Sequence, residues 1–156
     1  MDFIGKSYPR VDAENKVKGE ALYPGDINLE DQAYIKILFS KFPHAIIRSI
    51  DISKALAIPG VLMVLTAKDV PTNEYGMIIR DQPVLCGPES SMKFADRTRC
   101  IGDQVAVIIA NSERLAEKAR DMIDVIYEPL PALFNPEMAM EKDAQKIHPE
   151  LDSNVF

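Results

Sequence analysis

Apolar and polar positions follow two different periods along this chain, and residues 103–131 show both in succession. Gln104 to Ala110, QVAVIIA, is an almost unbroken Val- and Ile-rich run, the composition of a strand covered on both faces. Asn111 and Ser112 then supply side-chain oxygens for free amides, so a helix is expected to begin there. Leu115, Ala116, Ala119, Met122 and Ile123 fall on one face of a 3.6-residue period, with Glu113, Arg114, Glu117, Lys118, Arg120 and Asp121 opposite. Asp124 to Tyr127 extends again, and Pro129 and Pro131 close it. The pattern predicts a β-α-β unit with both strands in one sheet under a right-handed crossover. A helix this short is marginal alone in water. Burial of Leu115, Met122 and Ile123, at about 1.5–3 kcal/mol each, is expected to hold it, so Met122→Asp should unfold the unit.

The same order occurs earlier in a shorter form. Residues 45–53 carry Ile46, Ile47, Ile50 and Ile52 around Arg48 and Asp51, which suits a strand with a bulge. Ser53 is expected to cap a helix over 54–57, Pro59-Gly60 to stop it, and residues 61–66 to form the next strand. Residues 33–40, AYIKILFS, read as a half-buried strand. Two such units predict a mixed sheet with helices on it. Between residues 67 and 103 the pattern weakens into the runs 77–79, 83–85 and 92–94, expected as short strands projecting from the main sheet.

The flanks are different in kind. Residues 5–26 are polar and punctuated by Pro9, Gly19, Pro24 and Gly25, which predicts an extended arm with turns. Beyond Pro131, residues 136–140 allow one helical turn before the charged EKDAQK and Pro149. The expected organisation is therefore an extended amino-terminal arm over 1–26, an α/β domain over 27–135 and a linker over 136–156.

Composition narrows the chemistry. At 156 residues the chain can bury a core without metal or disulfide staples. The formal charge is −6, and from Glu137 onward five acids face two lysines, so the tail supplies half of it and the body is nearly balanced. Without a basic cluster there is no electrostatic basis for nucleic-acid binding. No apolar run approaches bilayer-spanning length and no signal-peptide pattern opens the chain, so no membrane partner and a cytoplasmic location are expected. Cys86 and Cys100 lack metal-ligand spacing and are expected as two free thiols, and His44 and His148 as surface residues.

The usual catalytic motifs are missing: no GxGxxG, Walker loop, GxSxG, HExxH or EF-hand loop. Asp12, Asp26, Glu30 and Asp31 sit in turn-rich sequence, where carboxylates cap amides. Met92-Lys93 is similar to the turn on which biotinyl and lipoyl domains carry their arm, but Ser90-Ser91 and Phe94 do not complete that signature, so Lys93 is read as solvated.

Four separated pieces do carry information. The first is Pro9-Arg10-Val11-Asp12-Ala13 with Lys16-Val17-Lys18-Gly19-Glu20-Ala21, Tyr23 and Asp26. The second is Ser40, His44-Ala45-Ile46, Ile50-Asp51, Ala55 and Pro59-Gly60-Val61. The third is Thr66-Ala67, Asp69-Val70-Pro71 and Gln82-Pro83-Val84-Leu85. The fourth is Gly102, Val105-Ala106, Ala110, Ala116, Ala119, Val125 and Tyr127 through Pro131. In this order and spacing they resemble the amino-terminal domain of the molybdopterin-binding subunit in the xanthine dehydrogenase and aldehyde oxidase family.

The resemblance implies an α/β (α+β) fold, the α/β-hammerhead: a small mixed sheet with two β-α-β-like units and a protruding β arm. It implies that this piece is a structural domain of a molybdenum hydroxylase, an oxidoreductase that inserts oxygen from water next to nitrogen or oxygen in a heterocycle or aldehyde. The molybdopterin cofactor would lie in following domains of the same polypeptide, and iron-sulfur clusters and FAD on other domains or subunits, all of them packing partners. The family's catalytic glutamate and cofactor-contacting motifs have no matching position here. No catalytic, cofactor-binding or metal-binding residue is therefore expected in this chain, and the fragment alone is expected to be inactive. The alternative is a free-standing interaction or carrier domain that reuses the same fold.

Overall fold

In a computed structural model, residues 4–155 are described. The chain divides into two compact units, Met1–Gln32 and Ala33–Phe156. In the first unit, where an extended arm was expected, Ala13–Lys18 forms a helix, α1. It buries no residue, so no apolar stripe announced it. Its support is electrostatic and terminal: Lys16 reaches Asp12 at 2.6 Å, Lys18 pairs with Glu14, and Gly19 closes it in the left-handed conformation. A single 3-10 turn follows at Pro24–Asp26, where Asp26 accepts the Tyr23 N–H.

The second unit runs β1 (Tyr34–Phe39), β2 (Ala45–Asp51), α2 (Ser53–Leu56), β3 (Val61–Leu65), β4 (Arg97–Thr98), β5 (Gln104–Ala110), α3 (Glu113–Asp121), β6 (Asp124–Pro129) and α4 (Pro136–Ala139). These strands make two antiparallel three-stranded sheets, in the orders β1-β5-β3 and β4-β2-β6. Both β-α-β units exist as sequences of elements, but neither keeps its strands in one sheet. β2 and β3, joined by α2, lie in different sheets, and so do β5 and β6, joined by α3. Strands of one unit pair with strands of the other, β2 with β6 and β3 with β5. The expected mixed sheet with a parallel crossover is thus replaced by two antiparallel sheets sharing both connections. Periodicity reports which residues extend and coil; it carries no information on which strands pair.

The core sits where α3 lies on the first sheet. Ala116 and Ala119 are fully buried against Ala106, Ile108 and Ala110, and the small side chains let helix and sheet approach closely. Ser112 caps α3 by accepting the Leu115 N–H at 3.3 Å. Ile123 is buried as expected, whereas Met122 is 41% exposed at the helix end. The expectation that Met122 anchors the unit is corrected: the chain turns into β6 there, and its residue faces out. Lys36 on β1 meets Glu113 at 2.6 Å and Glu117 at 3.0 Å, which satisfies the one charge on the helix-facing side of that strand. A second cluster, Ile47, Cys86 and Val105, shares Leu38, Ile50 and Val125 with the first and so ties the two sheets together.

Local expectations fared unevenly. The bulge in β2 is present, a register shift between Ile47 and Ser49. Ser53 does not cap α2; it is the first helical residue, and Asp51 accepts its N–H at 2.9 Å. That bond lowers the Asp51 pKa and lets it stand opposite Asp124, whose own carboxylate takes Lys54 at 2.6 Å. No strand forms at 77–79, 83–85 or 92–94; beside them lies the isolated Tyr75–Gln82 bridge, and β4 comes later. After Pro131, the helical turn allowed over 136–140 forms as α4. α4 is capped by Asn135, and Asn154 bonds to Ala139 O, Gln145 O and Ile147 N.

Candidate functional site

Two places gather side chains that could carry chemistry. The first is a cavity of about 320 Å³ lined by His44, Arg99, Cys100, Phe134 and Ile147 among others. His44, expected at the surface, is 7% exposed because β2 starts beneath the Pro131 turn. Its Nδ1 lies 2.7 Å from Pro131 O, and since a carbonyl only accepts, Nδ1 is the donor of that pair and Nε2 is the ring's other nitrogen. That Nε2 is buried without a partner among the described residues. Arg99 donates to Ile147 O at 3.3 Å, Phe94 O at 3.4 Å and Arg97 O at 3.5 Å, which turns the guanidinium into a clasp between the carboxy-terminal segment and the loop before β4.

Cys100 closes this cavity, and its environment is wrong for a nucleophile. Its Sγ donates to Asp103 Oδ1 at 3.1 Å, while Asp103 Oδ2 takes the Arg99 and Cys100 N–H groups. Burial and the neighbouring carboxylate raise the Cys100 pKa. Cys86 is more extreme, pushed up to about 12 chiefly by burial, with the charge of Asp103 adding to it. A reactive cysteine needs a neighbour that stabilises the thiolate; here the neighbour is an anion. Both cysteines are free.

The second place is a cavity of about 520 Å³ between the loop before β4 and the tail, lined by Ile79, Arg80, Asp81, His148, Glu150 and Leu151. His148 Nε2 stands 3.9 Å from Asp81 and Nδ1 3.5 Å from Glu150, distances that let a protonated ring attract both carboxylates without a hydrogen bond. The first cavity holds both His44 and Cys100, but His44 bonds to Pro131 and Cys100 to Asp103 rather than to each other, and the second is lined by no cysteine, serine or threonine. Among the described residues no group of three or more His, Cys, Asp or Glu could hold a metal ion, and no helix is long and apolar enough to cross a membrane.

The most complete polar arrangement is one that motif reading missed. Asn73 is fully buried; its Nδ2 donates to Leu85 O and Ser90 Oγ, both at 2.7 Å, its Oδ1 accepts Leu85 N–H at 2.8 Å, and its own N–H reaches Ser91 Oγ at 3.0 Å. This hub shapes the 73–91 loop in place of the strands expected there. In the sequence Asn73 belongs to no motif that would single it out.

Comparison with known proteins decides what this scaffold is. The profile of the aldehyde oxidase and xanthine dehydrogenase a/b hammerhead domain matches residues 18–131. The chain belongs to that family. It is 40% identical over 148 residues to a probable xanthine dehydrogenase subunit of Bacillus subtilis, covering 94% of this chain and 18% of that protein. It is 38% identical to the nicotinate dehydrogenase large molybdopterin subunit of Eubacterium barkeri, covering 97% of this chain and 34% of that protein. Among solved structures, CO dehydrogenase from Oligotropha carboxidovorans superposes with a TM-score of 0.78 at 33% identity, over 90% of this chain and 17% of the other. The hammerhead domain thus spans only a minor part of the length of its relatives.

The first cavity offers a molybdopterin no prepared phosphate cradle. That phosphate would need free N–H donors. In the first cavity Arg99 spends three of its five N–H groups on carbonyls, and His44 Nδ1 is taken by Pro131 O.

Proposed function

We propose that this chain is the hammerhead module of a molybdenum hydroxylase, which packs against molybdopterin-binding domains of the same polypeptide and helps wall the approach to them. The whole enzyme would hydroxylate a carbon beside nitrogen or oxygen in a heterocycle or aldehyde, with water as the oxygen source. Iron-sulfur clusters and FAD would sit on other domains or subunits. No catalytic, cofactor-binding or metal-binding role falls to a residue of this chain. The observation that carries this reading is the match over residues 18–131 in a chain that spans only 18% and 34% of relatives named for xanthine and nicotinate dehydrogenation. Two free thiols support a reducing, cytoplasmic setting.

Capture of the polypeptide from its native cells through a tag on this segment tests the reading. Molybdenum in the captured material, with dye-linked oxidation of a purine, nicotinate or aldehyde, is the expected result. The 156-residue chain alone is expected to turn over none of them. Turnover by the chain alone, or capture free of molybdenum, would overturn the reading, the latter in favour of a free-standing interaction domain.

A further inference from the structure

The sequence of β5 is that of a strand covered on both faces, yet the described residues fully bury only one. Ala106, Ile108 and Ala110 lie under α3 and are fully buried. The alternate residues Val107 and Ile109, on the central strand of its sheet, stay half-exposed. The pairing register extends them into two rows across the sheet: Ile35, Ile109 and Met63 in one, Ile37, Val107 and Leu65 in the other. Ile35 is 60% and Met63 47% exposed, and neither row holds a polar or charged side chain. Antiparallel sheets that face water on one side alternate apolar with polar residues. This one does not.

We infer that this open face of the β1-β5-β3 sheet is the seat for an apolar layer of the molybdopterin-binding portion of the same polypeptide, an inference that rests on the function proposed above. Size selects this occupant over a second copy of the chain. Three strands ~4.8 Å apart with same-face positions ~6.8 Å apart bound a plateau on the order of 200 Å². A stable association between separate molecules needs about 800 Å² on each partner. A small plateau suffices when the partner is tethered, because linkage supplies a high effective concentration. The absence of charge from both rows selects an apolar layer, packed ~10 Å away as sheets and their covers are.

Methionine oxidation tests the seat, because Met63 lies within it. The captured native complex and the 156-residue chain alone are treated with hydrogen peroxide, and oxidation at Met63, Met77 and Met140 is read by peptide mass spectrometry. In the molybdenum-containing complex Met63 is expected to react about tenfold more slowly than in the chain alone, as burial in an interface protects it. Ile35→Glu is expected to leave the melting of the chain alone unchanged while the molybdopterin-binding partner is lost from the complex when the two are expressed as separate segments. Equal Met63 rates in a complex that does contain molybdenum would overturn the seat and leave the proposed function standing. Capture without molybdenum would overturn both. Protection of Met63 in the chain alone, together with a doubled mass by light scattering, would overturn the seat in favour of self-association.

Discussion

Asn73 holds both backbone polar groups of Leu85: its Oδ1 accepts the Leu85 N–H at 2.8 Å and its Nδ2 donates to the Leu85 carbonyl at 2.7 Å. One side chain thereby replaces the ladder that a strand partner would supply. Leu85 is 2% exposed, so neither group can turn to water instead.

Asn73→Ala strands a buried donor and a buried acceptor, each costing about 1–3 kcal/mol. The expected loss of stability is about 2–4 kcal/mol in urea unfolding. Asn73→Asp keeps the acceptor but sets a buried carboxylate oxygen against the Leu85 carbonyl, and should cost at least as much as the alanine variant. A loss under about 0.5 kcal/mol for the alanine variant, the size of an ordinary surface substitution, would show that the hub does not hold the loop.

Helix α3 offers a pair of substitutions with opposite expectations. Ala119 is fully buried against the sheet, and Ala119→Leu forces extra volume into close packing at a cost of about 1–3 kcal/mol. Met122 is 41% exposed, and Met122→Asp should cost under about 1 kcal/mol. Thermal melts of the two variants, measured side by side, check this; the reverse ranking would mean that the helix is rotated from the position described.

Gly60 turns the chain between α2 and β3 at φ +93°, and a Cβ there would stand 2.8 Å from Leu115 Cδ1. Gly60→Ala combines left-handed strain with displacement of a flexible side-chain tip, and a loss of about 1–2 kcal/mol is expected. A stabilised or neutral variant in the same unfolding measurement would count against the backbone conformation at that turn.

Stability should fall at both ends of the pH scale, for different reasons. Lys36 holds the Glu113 carboxyl below its ordinary value of 4.5, and Asp12 and Asp51 are lowered from 3.8, Asp12 by Lys16 and then Arg10, Asp51 by the Ser53 N–H. Their contribution is present above those unfolded values and is lost as pH drops through the lower folded ones. Cys86 works the other way. Its thiol is raised from 9.0 to about 12, so stability is complete below pH 9 and is lost as pH rises from 9 toward 12. Cys86→Ala is expected to make the onset of the alkaline limb shallower from pH 9, with Cys100 still contributing there, Tyr127 from 10.0 and Lys36 from 10.5. A disulfide reagent at about pH 8 should titrate Cys100 in the folded chain and Cys86 only after unfolding; prompt reaction of both would contradict the burial of Cys86.

The identity and order of the main elements were legible in sequence because they depend on near neighbours. Strand and helix periods, the Ser112 cap, the β2 bulge and the stop at Pro59-Gly60 all act within a turn or two of the chain. Misreadings cluster where the deciding partner is distant or where no apolar face exists. α1 went unread because it rests on Asp12–Lys16 and Glu14–Lys18 pairs rather than burial. His44 was placed outside because nothing near it announces the Pro131 carbonyl.

By itself, the sequence determined which segments extend, which coil, and to which family their order belongs, since those rest on local periodicity and on residues whose spacing is visible along the chain. Only the tertiary structure decided that each β-α-β unit divides its strands between two sheets, that Asn73 replaces the expected short strands, and that one face of the first sheet stays partly open. Strand partnership is a matter of long-range backbone hydrogen bonds, and any extended segment can make them with any other. Which pairing wins is decided by the burial it achieves, here Val105 and Ile47 beneath the loop of Cys86 and the α3 alanines upon β5.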